Sequence, residues 1–168
     1  LPDSSDSVSD APLAARMRPT ALTEVVGQQH ILAEGNLLRR AIEADRFSSL
    51  IFYGPPGTGK TTLATVIANS TNCRFEMLNG VESNVAEIRE KIHQAQQWRQ
   101  LRDQTTILFI DEIHRMARPA EEMLYLAMED FRIDIMVGKG AGATTLPLDL
   151  APFTLVGATT RSGLLPGP

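Results

Sequence analysis

The chain has 168 residues, 43% of them hydrophobic, which is enough apolar material for one sizeable core and too little length for two full domains. Acidic residues outnumber basic ones, 20 to 16, for a formal net charge of -4. The chain as a whole therefore does not attract phosphate polymers, and contact with nucleic acid must be local or belong to a larger assembly. The one cysteine, Cys73, excludes an intrachain disulfide and a multi-cysteine zinc site, and reads as a small half-buried apolar residue. No apolar run reaches the roughly 18 residues needed to cross a membrane, so the expectation is a soluble, cytoplasmic protein with no membrane partner.

In chain order, "LPDSSDSVSD" is polar and acidic; it cannot repay its ordering entropy, and residues 1–11 are expected to form a disordered tail before a core at 12–168. Ile31, Leu32, Leu38 and Ile42 fall on one helical face and predict a helix from about 28 to 45, with Gly35 weakening or breaking its middle. "SSLIFY" reads as a short buried strand, "TTLATVIANS" as a helix and "RFEMLN" as a second strand. "SNVAEIREKIHQAQQWR" spaces Val85, Ile88, Ile92 and Ala95 as a helix does, with Glu87, Arg89, Glu90 and Lys91 on a solvated face and Trp98 near its end. "TTILFID" is a third strand, "RPAEEMLYLAMED" a helix with Pro119 in its first turn and a core stripe of Met123, Leu124, Ala127 and Met128, and "FTLVGATT" a fourth strand. Before that last strand, Ile133, Ile135 and Val137 alternate into a glycine-rich tip and return through Leu146, Leu148 and Leu150, which predicts a β-hairpin over 131–150. Strand and helix alternate elsewhere, so the fold class is α/β with a parallel sheet.

Two motifs carry the chemistry. Gly54, Gly59, Lys60 and Thr61 fit G-x-x-x-x-G-K-S/T between a predicted strand and a predicted helix, the setting that makes this pattern a phosphate-binding loop. Glycines allow turns in which successive N–H groups converge on phosphate oxygens at the positive end of a helix, while Pro55 and Pro56 stiffen the approach. The expected nucleotide contacts run through Pro55, Pro56, Gly57, Thr58, Gly59, Lys60, Thr61 and Thr62. Lys60 is assigned to the β- and γ-phosphates and Thr61 to Mg²⁺. In "ILFIDEIHR" four apolar residues lead to Asp111-Glu112, delivering two carboxylates at the carboxyl end of a buried strand, where open α/β sheets bind ligands. Asp111 suits Mg²⁺, and Glu112 suits polarisation of a water attacking the γ-phosphate. Thr159 or Thr160, at the end of the fourth strand, is placed to sense that phosphate, Thr160 being the catalytic candidate. His30, His93 and His114 lack metal-ligand spacing and read as surface or supporting residues.

In this order and spacing "GPPGTGKTTLA", "LFIDEIHR" and "GATTR" resemble the Walker A, Walker B and sensor 1 motifs of AAA+ ATPases, over about residues 12–168. Within that superfamily residues 12–111 are similar to the replication-associated recombination ATPases (RarA, or MgsA) of the clamp-loader clade, and residues 112–168 to the RuvB family of Holliday-junction branch-migration motors. The switch falls near Asp111 to Arg115, which suggests a chimera or engineered recombinant of two homologous domains, the alternative being a divergent natural intermediate. The resemblance implies a P-loop sheet flanked by helices, ATP or ADP with Mg²⁺ as ligands, and ring assembly. It further implies an adenine pocket walled by Arg18, Pro19, Val26, Gly27 and Gln28, and a hairpin that docks a RuvA-like, junction-binding partner. DNA would be reached only through the larger assembly. The family's arginine finger, fifth strand, helical lid and sensor 2 arginine have no counterpart in the sequence, so hydrolysis by this chain alone is expected to be weak or absent. The alternatives are a fold-only chimeric fragment without activity, or a small kinase or GTPase using the same loop. No Asn-Lys-x-Asp guanine motif supports the GTPase, and the Asp-Glu strand end suits water activation better than kinase chemistry.

Overall fold

The computed structural model describes residues 12–46, 49–130, 132–137, 144–150 and 153–161. Its main sheet has four parallel strands in the order β1 (Leu50–Tyr53), β6 (Thr154–Thr159), β3 (Thr106–Asp111) and β2 (Arg74–Asn79). The two central strands are the apolar runs of the sequence, and every residue of β6 and all of β3 before Asp111 are buried. Helices on both faces explain this, because a parallel sheet covered twice needs apolar residues in both phases of the pleat.

The two-residue period then sorts the side chains. Ile107, Phe109, Val156 and Ala158 face a cluster with Ile42 of α3 (Leu37–Glu43) and Ala64, Val66 and Ile67 of α4 (Lys60–Ser70). Leu108, Ile110 and Leu155 face the other cluster, with Ile88 and Ile92 of α5 (Val85–Arg102) and Ala120, Met123, Leu124 and Ala127 of α6 (Arg118–Glu129). The methionine and leucine stripe of α6 is core, as its spacing predicts. Asn84 caps α5, its side chain accepting from the Glu87 N–H at 3.0 Å, which supplies one of the acceptors that the first turn of a helix lacks.

Three local expectations are corrected or refined. The helix expected over 28–45 is two helices, α2 (Gln29–Leu32) and α3, divided where Gly35 adopts φ +86°; a left-handed residue cannot continue a right-handed helix. Lys91 is no solvated residue: its Nζ lies 2.7 Å from Glu76 Oε2, and its side chain is 28% exposed. Trp98 lies under two guanidiniums, Arg74 at 4.5 Å and Arg102 at 5.2 Å from its ring centre.

The hairpin forms a separate two-stranded antiparallel sheet of β4 (Arg132–Val137) and β5 (Thr144–Asp149), with Ile133 opposite Leu148 and Ile135 opposite Leu146. Its foot is tied to the body where the buried Gln96 of α5 donates from Nε2 to the Asp149 carbonyl at 2.6 Å. The glycine-rich tip and the expected tail at 1–11 lie outside the described residues.

Candidate functional site

The site forms where β1, β3 and β6 all end on the same side of the sheet. After Tyr53 the chain turns away, with the Gly54 N–H still donating to the Thr159 carbonyl at 3.2 Å. Gly57 and Gly59 then take φ of +78° and +82°, a conformation that costs other residues about 1 kcal/mol or more. Thr58 closes the loop by donating from Oγ1 to the Pro55 carbonyl at 2.9 Å. Helix α4 starts at Lys60 with Gly59 as its cap and no side chain accepting from its first N–H groups. Those donors, at the positive end of an 11-residue helix, are free for an anion. The Lys60 ammonium folds back over the loop and donates to the carbonyls of Gly54 and Pro55, each at 2.9 Å.

The acidic pair leaves β3 through a sharp turn. Glu112 is left-handed, φ 53° and ψ 40°, and starts a one-turn 3-10 helix at Ile113–Arg115. Its N–H donates to Asp111 Oδ1 at 3.0 Å, and its Oε2 lies 3.2 Å from Arg115 Nη1. A non-glycine residue held in this region signals surroundings that over-determine it, and here the determinant is Gly80, just beyond β2. Its N–H donates to the Asp111 carbonyl at 2.8 Å, and a Cβ at Gly80 would stand 2.5 Å from the Glu112 carbonyl oxygen. Only glycine lets the backbone press so closely under that turn.

Two open cavities share the loop as a common wall. The larger, about 720 Å³, has a mixed lining, apolar at Pro19, Val25, Val26 and Ile31 and polar at Glu24, Gln28 and His30. The smaller, about 360 Å³, carries the charges: Arg18 and Lys60 against Asp111 and Glu112, with Thr61 and Thr160 between. Gly57, Gly59, Lys60 and Thr62 border both.

Most residues singled out in the sequence thus come together. Pro19 and Val26 wall the larger cavity, as does Thr58, while Pro56 and Thr61 wall the smaller. Arg18, expected beside Pro19 at a base, instead borders the smaller, charged cavity. Gly27 contributes φ +88° rather than a wall, and Pro55 contributes its carbonyl to Lys60 and Thr58. Gly80 and Arg115 were not singled out, and His114 was read only as a surface or supporting residue. For Gly80 a signal existed, a glycine directly after a predicted strand; for His114 and Arg115 none did, since their partners come from folding.

Chemically, the smaller cavity offers a hollow of unpaired N–H donors, an ammonium, a hydroxyl and two carboxylates. Among the described residues no three His, Cys, Asp or Glu side chains gather to hold a metal ion by themselves. One carboxylate and one hydroxyl suit a hydrated divalent cation that takes its remaining ligands from water and phosphate.

The likenesses to known proteins agree with this geometry. A family model described as "Holliday junction DNA helicase RuvB P-loop domain" matches residues 17–168. The "Holliday junction branch migration complex subunit RuvB" of Leifsonia xyli subsp. xyli is 51% identical over 170 residues, covering 98% of this chain and 46% of that protein. The protein of the same name from Clavibacter michiganensis subsp. michiganensis is 50% identical, over 95% of this chain and 44% of its own length. Among solved structures, the Thermotoga maritima RuvB Holliday junction branch migration motor superposes with a TM-score of 0.69 at 36% identity, covering 89% of this chain and 44% of that one. The chain therefore spans less than half the length of the relatives it matches. The family match runs unbroken through Asp111 to Arg115, so nothing in these likenesses marks a join between two families. The chain belongs to the RuvB P-loop domain family.

Proposed function

We propose that this chain is the nucleotide-binding core, residues 12–168, of a Holliday-junction branch-migration ATPase. The observation that carries the reading is the convergence of Lys60, Thr61, Asp111, Glu112 and Thr160 on one cavity, with a second, larger cavity across the loop that has room for a nucleoside. In this reading the adenine of ATP or ADP lies in the larger cavity against Pro19 and Val26, with Gly27 turning the chain there. Its phosphates lie over the loop from Pro55 to Thr62. Lys60 exchanges its two carbonyl partners for β- and γ-phosphate oxygens, which form stronger, charge-assisted bonds. Thr61 and Asp111 hold Mg²⁺, which when bound neutralises phosphate charge. Glu112 orients and polarises the attacking water, and Thr160 reads the γ-phosphate. Arg18 faces these same groups and adds a second cation to the phosphate side.

The relatives' names give a subunit of a Holliday junction branch migration complex; in this reading the chain acts within such a complex, assembles as a ring as the AAA+ resemblance implies, reaches DNA through that assembly, and offers the hairpin at 131–150 to a junction-binding partner. The test is a titration of the chain with ADP and ATP, with and without Mg²⁺. Lys60→Ala is expected to weaken triphosphate binding roughly 100-fold, the loss of charged hydrogen bonds at the terminal phosphates. Glu112→Gln should leave binding intact and remove whatever hydrolysis the chain supports. Equal triphosphate affinity in the parent and Lys60→Ala chains would reject the site.

A further inference from the structure

The end of β6 and the turn after β3 are joined by one side-chain bond that no motif describes. His114 sits in the 3-10 turn directly after the Ile113 anchor, and its Nδ1 lies 2.9 Å from Thr159 Oγ1. Thr159 is 1% exposed, and the same oxygen accepts from the Arg161 N–H at 3.0 Å. A buried hydroxyl in this position needs an acceptor for its own proton. The imidazole Nδ1 is the side-chain partner within reach, and the ring tautomer decides which of the two atoms donates. Both of the joined segments carry residues of the smaller cavity on the adjacent position or two: Glu112 two residues before His114, Thr160 immediately after Thr159.

We infer that His114 is a positioning residue: through Thr159 it fixes the spacing between the Glu112 carboxylate and the Thr160 hydroxyl, and so the site's ability to tell a triphosphate from a diphosphate. The inference rests on the nucleotide reading above. Geometry supports it in three ways. Glu112 is in a left-handed conformation whose turn is only three residues long, so a tether at His114 acts on it directly. Thr160 leaves the sheet just beyond the register that holds β6, since β3 pairs with it only as far as Gly157 and β1 as far as Thr159. Gly80 backs the same turn, its N–H donating to the Asp111 carbonyl at 2.8 Å and its Cα set close against the Glu112 carbonyl, so the turn is held by Gly80 as well as by His114.

The experiment compares affinities for ADP and for a non-hydrolysable ATP analogue, both with Mg²⁺, in the chain and its variants. His114→Ala is expected to weaken analogue binding roughly five- to tenfold, the scale of one lost hydrogen bond from a buried group, with ADP affinity changed less than about twofold. His114→Asn, whose side-chain amide reaches about where Nδ1 lies, should restore the ratio of the two affinities. Thr159→Val removes the hydroxyl while keeping the shape and should match His114→Ala. The double variant should be no worse than either single one, as residues acting through one bond are non-additive. An unchanged ratio in His114→Ala, an equal loss for both nucleotides, or additive losses in the double variant would each overturn the inference. Failure of the parent chain to bind ADP would instead overturn the nucleotide reading on which it rests.

Discussion

The two edges of the main sheet are finished in opposite ways. At one edge β1 pairs only with β6 among the described residues and carries no charge; Ile51 and Tyr53 are 50% and 67% exposed. At the other, β2 pairs only with β3 among the described residues, and beside its half-exposed Met77 it carries Arg74 and Glu76 in a charged cluster. Arg74 Nε donates to Glu76 Oε1 at 2.6 Å, Lys91 reaches Glu76 Oε2 from α5, and Arg74 also covers Trp98. Charged side chains are a common protection against edge-to-edge pairing, and an apolar edge lacks it. The edges also differ in position: β1 leads into the glycine-rich loop and its Ile51, Phe52 and Tyr53 border the larger cavity, whereas no residue of β2 borders either cavity.

The comparison can be broken first at the site. Saturating Mg-ATP, at about 100 times its dissociation constant, should stabilise the chain by about 2.7 kcal/mol, read as a rise in the thermal midpoint. Lys60→Ala at the β1 end should lose most of that gain and Glu76→Gln at the β2 end should keep it. Equal gains in the two variants would separate β1 from the site.

Gly80→Ala sharpens the contrast, because Gly80 packs the β2 end directly against the Glu112 turn. The added methyl cannot stand 2.5 Å from the Glu112 carbonyl, so the turn must shift, at about 1–3 kcal/mol. Denaturant unfolding should show the loss, and hydrolysis should fall with it. A neutral Gly80→Ala would mean that the Glu112 turn yields without cost.

The charged edge has its own signature in pH. Burial by itself would raise the pKa of Glu76, but hydrogen bonds and charge from Lys91 and Arg74 outweigh it and hold the carboxyl below its ordinary value of 4.5. A group more acidic in the folded chain than in the unfolded one contributes stability that is complete above the unfolded value and is lost as pH falls through the folded one. Glu76→Gln should therefore cost about 1–2 kcal/mol at pH 7, since its partners are partly exposed and screened. It should also flatten the loss of stability below pH 4.5. A variant with the parent's acid limb would show that the cluster does not set it.

The smallest expected effect is on association. In the absence of nucleotide the chain should self-associate weakly with concentration through β1, and Tyr53→Lys should suppress this while Met77→Lys on β2 does not. Sedimentation velocity reads both, and association that survives Tyr53→Lys would show that β1 is not the sticky edge.

Several features were fixed locally and could be read from the sequence alone. The phosphate loop was legible because its glycines, lysine and threonine serve backbone and charge requirements met within a single strand, turn and helix. Asp111-Glu112 was legible because a run of four apolar residues can end in two carboxylates only where a buried strand leaves the core. The hairpin's alternation likewise named its own pairing. The break between α2 and α3 was half legible: Gly35 marked it, and its left-handed backbone made it complete. Tertiary structure decided the rest. Arg18 borders the smaller cavity and not the larger, Gly80 carries the Glu112 turn, His114 meets Thr159 across 45 positions, and Lys91 leaves the solvated face for Glu76. Each of these contacts joins strands or helices that are far apart in sequence. The periodicity of one element states which face it buries and leaves open which side chain of another element that face will meet.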